Sequence, residues 1–170
     1  MFNPRSMICN SRLFYLSLYH GQFCSQFKLT IMNTINFIKS YGGRDKLFSP
    51  KQRTNKNLHI GDCVIRSIVH ATGKNYLQVW VDLMKLSQET LFLPNHEKTF
   101  GKYLISLGWV KRKPKRNKYN RTYEVRLFPA KPRGKYIIKT RRHLTTIVNG
   151  KHLDSWNCGD YRANSYWELA

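Results

Sequence analysis

Acidic residues are scarce in this sequence. Aspartate and glutamate total 9 against 30 lysines and arginines in 170 residues, which gives a formal net charge of +21. This imbalance predicts attraction to polyanions such as nucleic acid, anionic membrane or acidic protein, and it carries no information about the fold. Cysteine is also sparse, and the four thiols form no CxxC pair and no zinc-type spacing. We therefore expect no metal, no cofactor, no disulfide scaffold and a reduced intracellular setting.

Long apolar runs are absent as well. No stretch approaches the roughly 20 apolar residues that a membrane-spanning helix needs, so we expect no transmembrane segment. The chain is nevertheless 41% hydrophobic and 14% aromatic, which is typical of a folded protein rather than a disordered one. Its length suffices for one domain with a substantial core.

Three segments differ in composition. Residues 1–31 hold three basic residues, no acidic ones and the aromatic patch LFYLSLY. They lack the apolar core and cleavage site of a secretory signal. An interfacial anchor stays open, but we expect a poorly packed extension upstream of a natural start at Met32. Residues 32–60 carry Gly42-Gly43 and little periodicity, and they predict a basic arm or long loop. The folded domain is expected over residues 61–170.

Within that domain, the apolar spacing predicts helices at about 62–72, 75–87 and 97–107. Asp62 is placed to cap the first helix. An antiparallel sheet is expected over about 109–168, with alternating strands at Tyr123–Phe128 and Lys135–Lys139. The fold class is therefore α+β, with N-terminal helices packed on a C-terminal antiparallel sheet.

The strongest local signal is the stretch HLTTIVNGKHLDSW, His143 to Trp156. Asn-Gly between alternating runs predicts a two-residue type I′ hairpin. In the resulting register His143 and Asp154 are diagonal neighbours on one face, and Trp156 lies opposite the histidine. Such a pair is the orienting half of a nucleophile–base–orienter triad. The alternative is an ordinary hairpin whose His and Asp are surface residues.

Cys63 occupies the first residue of the first predicted helix. The unpaired amides and the positive end of the helix dipole stabilise an anion at that position, so a thiolate is favoured there. Gly61 gives the backbone room. The alternative is a buried structural cysteine, which is the usual state of a free thiol.

Residues 111–142 hold 14 lysines and arginines and one acid, Glu124. The densest part contributes six candidate contacts to nucleic acid: Lys111, Arg112, Lys113, Lys115, Arg116 and Lys118. The nearby Tyr119 and Tyr123 are available for base stacking. The alternative is a solvated basic face on the sheet.

The order Cys at a helix start, His at a strand start and Asp on the next strand resembles the papain-like cysteine peptidases. Asp154-Ser155-Trp156 is similar to that family's Asn-Ser-Trp, in which Asn orients the His and Trp covers the pair. GDCVIRSIVHATGKNY together with the hairpin resembles small papain-like domains of phage and prophage proteins, related to bacteriocin-processing peptidases. The resemblance covers roughly Asn57 to Trp167.

The resemblance implies a nucleophile at Cys63, a general base at His143 and an orienter at Asp154. It also implies that the side chain of Asn57 donates to the oxyanion, where papain has Gln. The implied activity is thiolate attack on a peptide or amide carbonyl through an acyl-enzyme.

We expect a monomer acting on a peptide or protein substrate in the cytoplasm, which would be the host cytoplasm if the protein is phage-encoded. The alternative function is a basic, non-catalytic module that binds nucleic acid or a host protein.

Overall fold

The three predicted helices form close to their expected positions. They are α1 (Cys63–Thr72), α2 (Tyr76–Thr90) and α3 (Glu97–Ser106). Asn75 caps α2 by accepting from the amides of Leu77 and Gln78. Gly73 ends α1 with a φ of 75°, a left-handed conformation that glycine adopts without strain.

A computed structural model describes residues 34–47 and 61–170 of the chain. The predicted extension 1–31 and Asn57 lie outside these ranges. None of the helices in the described part has the length and apolar character needed to cross a membrane.

The helices pack on a six-stranded sheet with the order β1-β5-β4-β3-β6-β2. The strands are β1 (Asn36–Lys39), β2 (Trp109–Arg112), β3 (Lys135–Lys139), β4 (Leu144–Val148), β5 (Lys151–Asp154) and β6 (Ser165–Leu169). The fold class is thus α+β. The antiparallel sheet expected over about 109–168 is present, because all four pairs among β2 to β6 are antiparallel. β1, from outside that range, adds one strand parallel to β5 that was not expected.

The segment 32–60 was expected to be an arm or loop, yet its residues 36–39 form β1. Phe37 pairs with His152 in the register, and the Ser40 amide donates to the backbone carbonyl of Asp154 at 2.7 Å. Gly42, with a φ of +63°, then lies next to α1, where a Cβ would be in ordinary van der Waals contact with Val69 and Arg66. This part of the chain therefore lies against the first helix and the end of β5.

The segment Tyr123–Phe128 was expected to be a strand, and that expectation is wrong. Residues Val125–Leu127 form a 3₁₀ turn. The amides of Val125 and Arg126 donate to the carbonyls of Tyr161 and Gly159 in a loop, so no ladder with a neighbouring strand forms there. Val125 and Phe128, three residues apart, instead bury their side chains together.

The sheet is covered on both faces. One core joins the helices to the sheet through residues such as Ile68, Leu104 and Ile137. The second core holds Ile138 and Ile147, with Val125 and Phe128 packed against them. Adjacent Ile137 and Ile138 are both fully buried because successive side chains of a strand point to opposite faces.

Candidate active site

The hairpin that was expected from Asn149-Gly150 is present. Both residues have a positive φ, 51° and 72°, as a type I′ turn requires. The predicted register is also confirmed, with Ile147 opposite His152 and Val148 opposite Lys151. This register places the residue that precedes β4, His143, beside the last residue of β5, Asp154.

His143 and Asp154 form a hydrogen bond. The distance from Nε2 of His143 to Oδ2 of Asp154 is 2.6 Å, and the carboxylate is 2% exposed. The indole of Trp156 lies over the imidazole with a centroid separation of 5.0 Å, as the sequence predicts. The pair is therefore held in a fixed orientation and partly screened from water.

Cys63 lies at the start of α1, where the sequence places it, and its side chain is partly buried. Its thiol hydrogen-bonds to the His143 side chain and to the backbone amide of Leu144. Burial alone would raise the pKa of Cys63. The two hydrogen bonds, with the positive charges of His143 and Arg66, outweigh burial and lower it.

The ring nitrogens of His143 thus have separate partners. Since Nε2 bonds to Asp154, Nδ1 is the nitrogen available to the Cys63 sulfur. Burial disfavours the charged ring, but the hydrogen bonds to Asp154, Cys158 and Cys63 raise the pKa of His143 well above its usual range. Burial would likewise raise the pKa of Asp154, while His143 and Arg66 lower it. These shifts all act in the direction of a thiolate–imidazolium pair backed by an ionised carboxylate.

Sequence reasoning assigned Asp62 the wrong role. Asp62 occupies the N-cap position of α1, but within the described residues its side chain makes no capping hydrogen bond. The buried carboxylate instead accepts from Arg66, from Nη1 of Arg44 at 2.8 Å and from the Tyr76 hydroxyl at 2.7 Å. These three stronger donors leave the amides of the first helical turn without the expected side-chain cap.

Arg66 was missed by sequence reasoning. It is 5% exposed on α1, and its Nη2 lies 3.2 Å from Oδ1 of Asp154 while its Nη1 bonds to Asp62. The available signal was a charged residue inside the otherwise apolar CVIRSIV run, because a buried charge needs a partner.

Cys158 is the second unexpected member of the site. Its buried sulfur lies 3.4 Å from Nε2 of His152 and 3.8 Å from Oδ2 of Asp154. His152 also bonds to the Thr145 hydroxyl at 2.8 Å. The sequence predicts that His152 points away from the Cys63 sulfur, and its sulfur contact is with Cys158.

Three donor atoms here, from His143, Asp154 and Cys158, lie within 4.8 Å of one another and are of the types that bind zinc. Two ligands of a tetrahedral zinc ion, each at about 2.0–2.1 Å, stand about 3.3 Å apart. The 2.6 Å separation of His143 Nε2 and Asp154 Oδ2 is that of a hydrogen bond. The arrangement therefore fits a proton network better than a metal centre.

Burial of His152 predicts a pH-dependent stability. Burial lowers the pKa of His152 to about 4, from an ordinary value of about 6.5. Between these values the unfolded chain binds a proton that the folded chain does not, so the free energy of unfolding falls as pH decreases from 6.5 to 4, by up to about 3 kcal/mol. His70, whose pKa burial also lowers, acts in the same direction.

Urea unfolding at pH 6.5 and at pH 4.5 measures this loss. In His152→Asn the loss between the two pH values should shrink to the part due to His70 and to other groups. An equal loss in wild type and variant would contradict the assignment to His152.

The six basic residues predicted to bind nucleic acid are all exposed, but they are not equivalent. Lys111 pairs with Glu97, and Nε of Arg112 lies 3.3 Å from Glu168. Arg116 donates to the carbonyl of Asn120 at 2.8 Å. Among the described residues, no ion pair involves Lys113, Lys115 or Lys118. Their positive charges are therefore not offset by a neighbouring carboxylate and are available to a polyanion.

Comparisons with known proteins add no assignment to this site: no protein-family model, no curated protein and no solved structure matches the chain.

Proposed function

We propose that this chain is a papain-like cysteine hydrolase that cleaves a peptide or amide bond through an acyl-enzyme on Cys63. The observation that carries the proposal is the placement of the His143 side chain between the Cys63 thiol, whose pKa it lowers, and the Asp154 carboxylate, to which it bonds at 2.6 Å. Nucleophile, base and orienter within hydrogen-bond reach of one another are the signature of activated-nucleophile catalysis. The expected phage or prophage origin and cytoplasmic location belong to the same proposal.

The first half of the reaction follows from these positions. The Cys63 thiolate attacks the carbonyl carbon, and the developing oxyanion is stabilised by backbone amides at the start of α1. The imidazolium of His143 then gives its Nδ1 proton to the leaving nitrogen as the carbon–nitrogen bond breaks. This leaves a thioester on Cys63 and a free amine.

Hydrolysis of the thioester reverses the proton movement. Neutral His143 takes a proton from a water molecule, and the resulting hydroxide attacks the thioester carbon. The carbon–sulfur bond breaks, which releases a carboxylic acid and restores the thiolate–imidazolium pair. Asp154 stays ionised throughout and holds the ring by its Nε2 hydrogen bond, a role that Asn fills in papain. Asn57 remains the expected side-chain donor to the oxyanion.

A peptide-library digestion read by mass spectrometry tests this function. Wild type should generate new carboxyl termini, and Cys63→Ala should generate none while remaining folded. The control Cys24→Ala removes a cysteine that has no part in the proposal and should cleave like wild type. Equal cleavage by wild type and Cys63→Ala would refute the hydrolase.

The second candidate is a basic module that binds polyanions, and the exposed charges of Lys113, Lys115 and Lys118 favour it. A cleft of about 420 Å³ is lined in part by Lys118, Tyr119 and Arg162, the last of which pairs with Glu124 in the same lining. The Tyr119 ring, with the ammonium group of Lys118 5.0 Å from its centroid, offers the combination of an aromatic face and a cation that suits a single-stranded nucleic acid. This activity does not require the thiol, so it is compatible with an inactive Cys63.

Salt dependence provides the measurement. Affinity for a single-stranded oligonucleotide should fall steeply with salt, and substituting Lys113, Lys115 and Lys118 together with serine should lower the slope by about 0.7 for each phosphate that the variant does not neutralise. The matched control is Lys74→Ser combined with Lys85→Ser, two exposed lysines on the helical side. If wild type does not bind even at low salt, these lysines are only a solvated face.

A further inference from the structure

Arg66 connects the helix that carries the candidate nucleophile to the strand that carries the orienter. It lies three residues after Cys63 on α1, and its guanidinium contacts both Asp62 and Asp154. Its side chain is buried, so this contact is made away from bulk water. We propose that Arg66 is a positioning residue that fixes the orientation of the Asp154 carboxylate and keeps it ionised. Through Asp154 it sets the reactivity of Cys63, an inference that rests on the proposed function.

The two oxygens of Asp154 have different partners. Oδ2 bonds to His143 at 2.6 Å, while Oδ1 accepts from Nη2 of Arg66 at 3.2 Å and from the amide of Ser155 at 2.7 Å. Contacts on Oδ1 from two directions fix the plane of the carboxylate. The remaining oxygen is thereby aimed at the imidazole.

Arginine suits this position for a geometric reason. Its planar guanidinium offers donors in a rigid fork, and here the two terminal nitrogens reach two carboxylates on different elements. Lysine supplies the same charge from a single flexible ammonium, so it cannot hold both carboxylates in one fixed geometry. Arg66→Lys therefore keeps the positive charge beside Asp154 and removes the rigid contact with two carboxylates.

The charge of Arg66 also acts along the series. An ionised carboxylate in a buried site is costly unless a cation lies beside it. With Arg66 present, Asp154 stays ionised and supports the imidazolium of His143, and that imidazolium in turn supports the Cys63 thiolate. Without it, the thiolate should form only at higher pH.

A purely structural role would have a different signature. If Arg66 only joins α1 to the sheet, its loss should lower stability and leave the pH profile of the thiol unchanged. Arg44 provides the matched control. It bonds to Asp62 in the same network at 2.8 Å, and the proposal assigns it no role in orienting Asp154.

The experiment measures iodoacetamide alkylation of Cys63 against pH, quantified at each cysteine by peptide mass spectrometry, with thermal melting in parallel. Arg66→Met should move the midpoint upward by a unit or more, which corresponds to about tenfold slower alkylation at pH 6. Arg66→Lys should lie between Arg66→Met and wild type. Arg44→Met should lose stability but keep the wild-type midpoint.

A folded Arg66→Met with the wild-type midpoint overturns the inference. If Arg66→Met fails to fold, Arg66→Lys decides, and a midpoint equal to that of wild type overturns it. A wild-type Cys63 with the pH profile of an ordinary thiol is a different failure, because it removes the proposed hydrolase itself. The two failures are therefore distinguishable in one data set.

Discussion

Replacing His143 with alanine should slow alkylation of Cys63 at pH 6 on the order of 10²-fold. The imidazole supplies both a hydrogen bond and a positive charge to the sulfur, and both lower the pKa of the thiol. Without the hydrogen bond and charge of His143, the effect of burial, which raises the pKa of the Cys63 thiol, is no longer offset by the histidine. An ordinary thiol with a pKa of about 8.5 is only about 0.3% ionised at pH 6, and the thiolate is the reactive form.

The measurement is the rate of modification at Cys63, read by peptide mass spectrometry from pH 5 to pH 10. At the alkaline end the variant should approach the wild-type rate, because both thiols are then ionised. The control is His96→Ser, which removes a histidine at the N-cap of α3 and leaves a residue that can still cap. A His143→Ala profile that coincides with the wild-type profile would remove the support for a cysteine hydrolase.

Replacing Asp62 with alanine should cost about 3–5 kcal/mol of unfolding free energy, the range for breaking a buried ion pair from one side. The Asp62 carboxylate is 4% exposed and accepts hydrogen bonds from Arg44, Arg66 and Tyr76. Its removal leaves the buried Arg66 guanidinium with one carboxylate partner fewer. It also removes the acceptor of the Tyr76 hydroxyl.

Urea unfolding at pH 7 gives this free energy. The matched control is Glu89→Gln, which breaks an ion pair with Lys102 whose side chains are 62% and 58% exposed. Exposed pairs contribute about 0–1 kcal/mol, so the control should change stability little. Similar losses in the two variants would show that the buried network contributes no more than a surface pair.

Local chemistry explains the parts of the site that the sequence predicts well. Asn149-Gly150 adopts the left-handed turn that few other pairs accept, and the turn fixes the strand register within a few residues. That register alone puts His143 next to Asp154 and Trp156. Cys63 at a helix start follows equally from the onset of the apolar period. All these inferences depend on residues close together in the chain.

Tertiary contacts override local preference where stronger partners are present. At Asp62 the local rule predicts a helix cap, but the carboxylate takes two guanidinium groups and a phenol hydroxyl as donors. At Tyr123–Phe128 the alternation predicts a strand. The backbone instead bonds to a loop some 35 residues later, and burial of Val125 and Phe128 in the second core selects a 3₁₀ turn.

Patterns of neighbouring residues thus suffice to predict the α+β class, the three helices, the hairpin and the residues of the candidate triad. The position of β1 at the sheet edge beside β5, and the bond of Arg66 to a carboxylate 88 positions away, depend on the complete fold. The reason is physical: turn and helix preferences act over a few neighbouring residues, where periodicity and special backbone angles record them. A buried charge, by contrast, is stabilised by whichever partner the completed fold brings to it, and no local pattern records that partner.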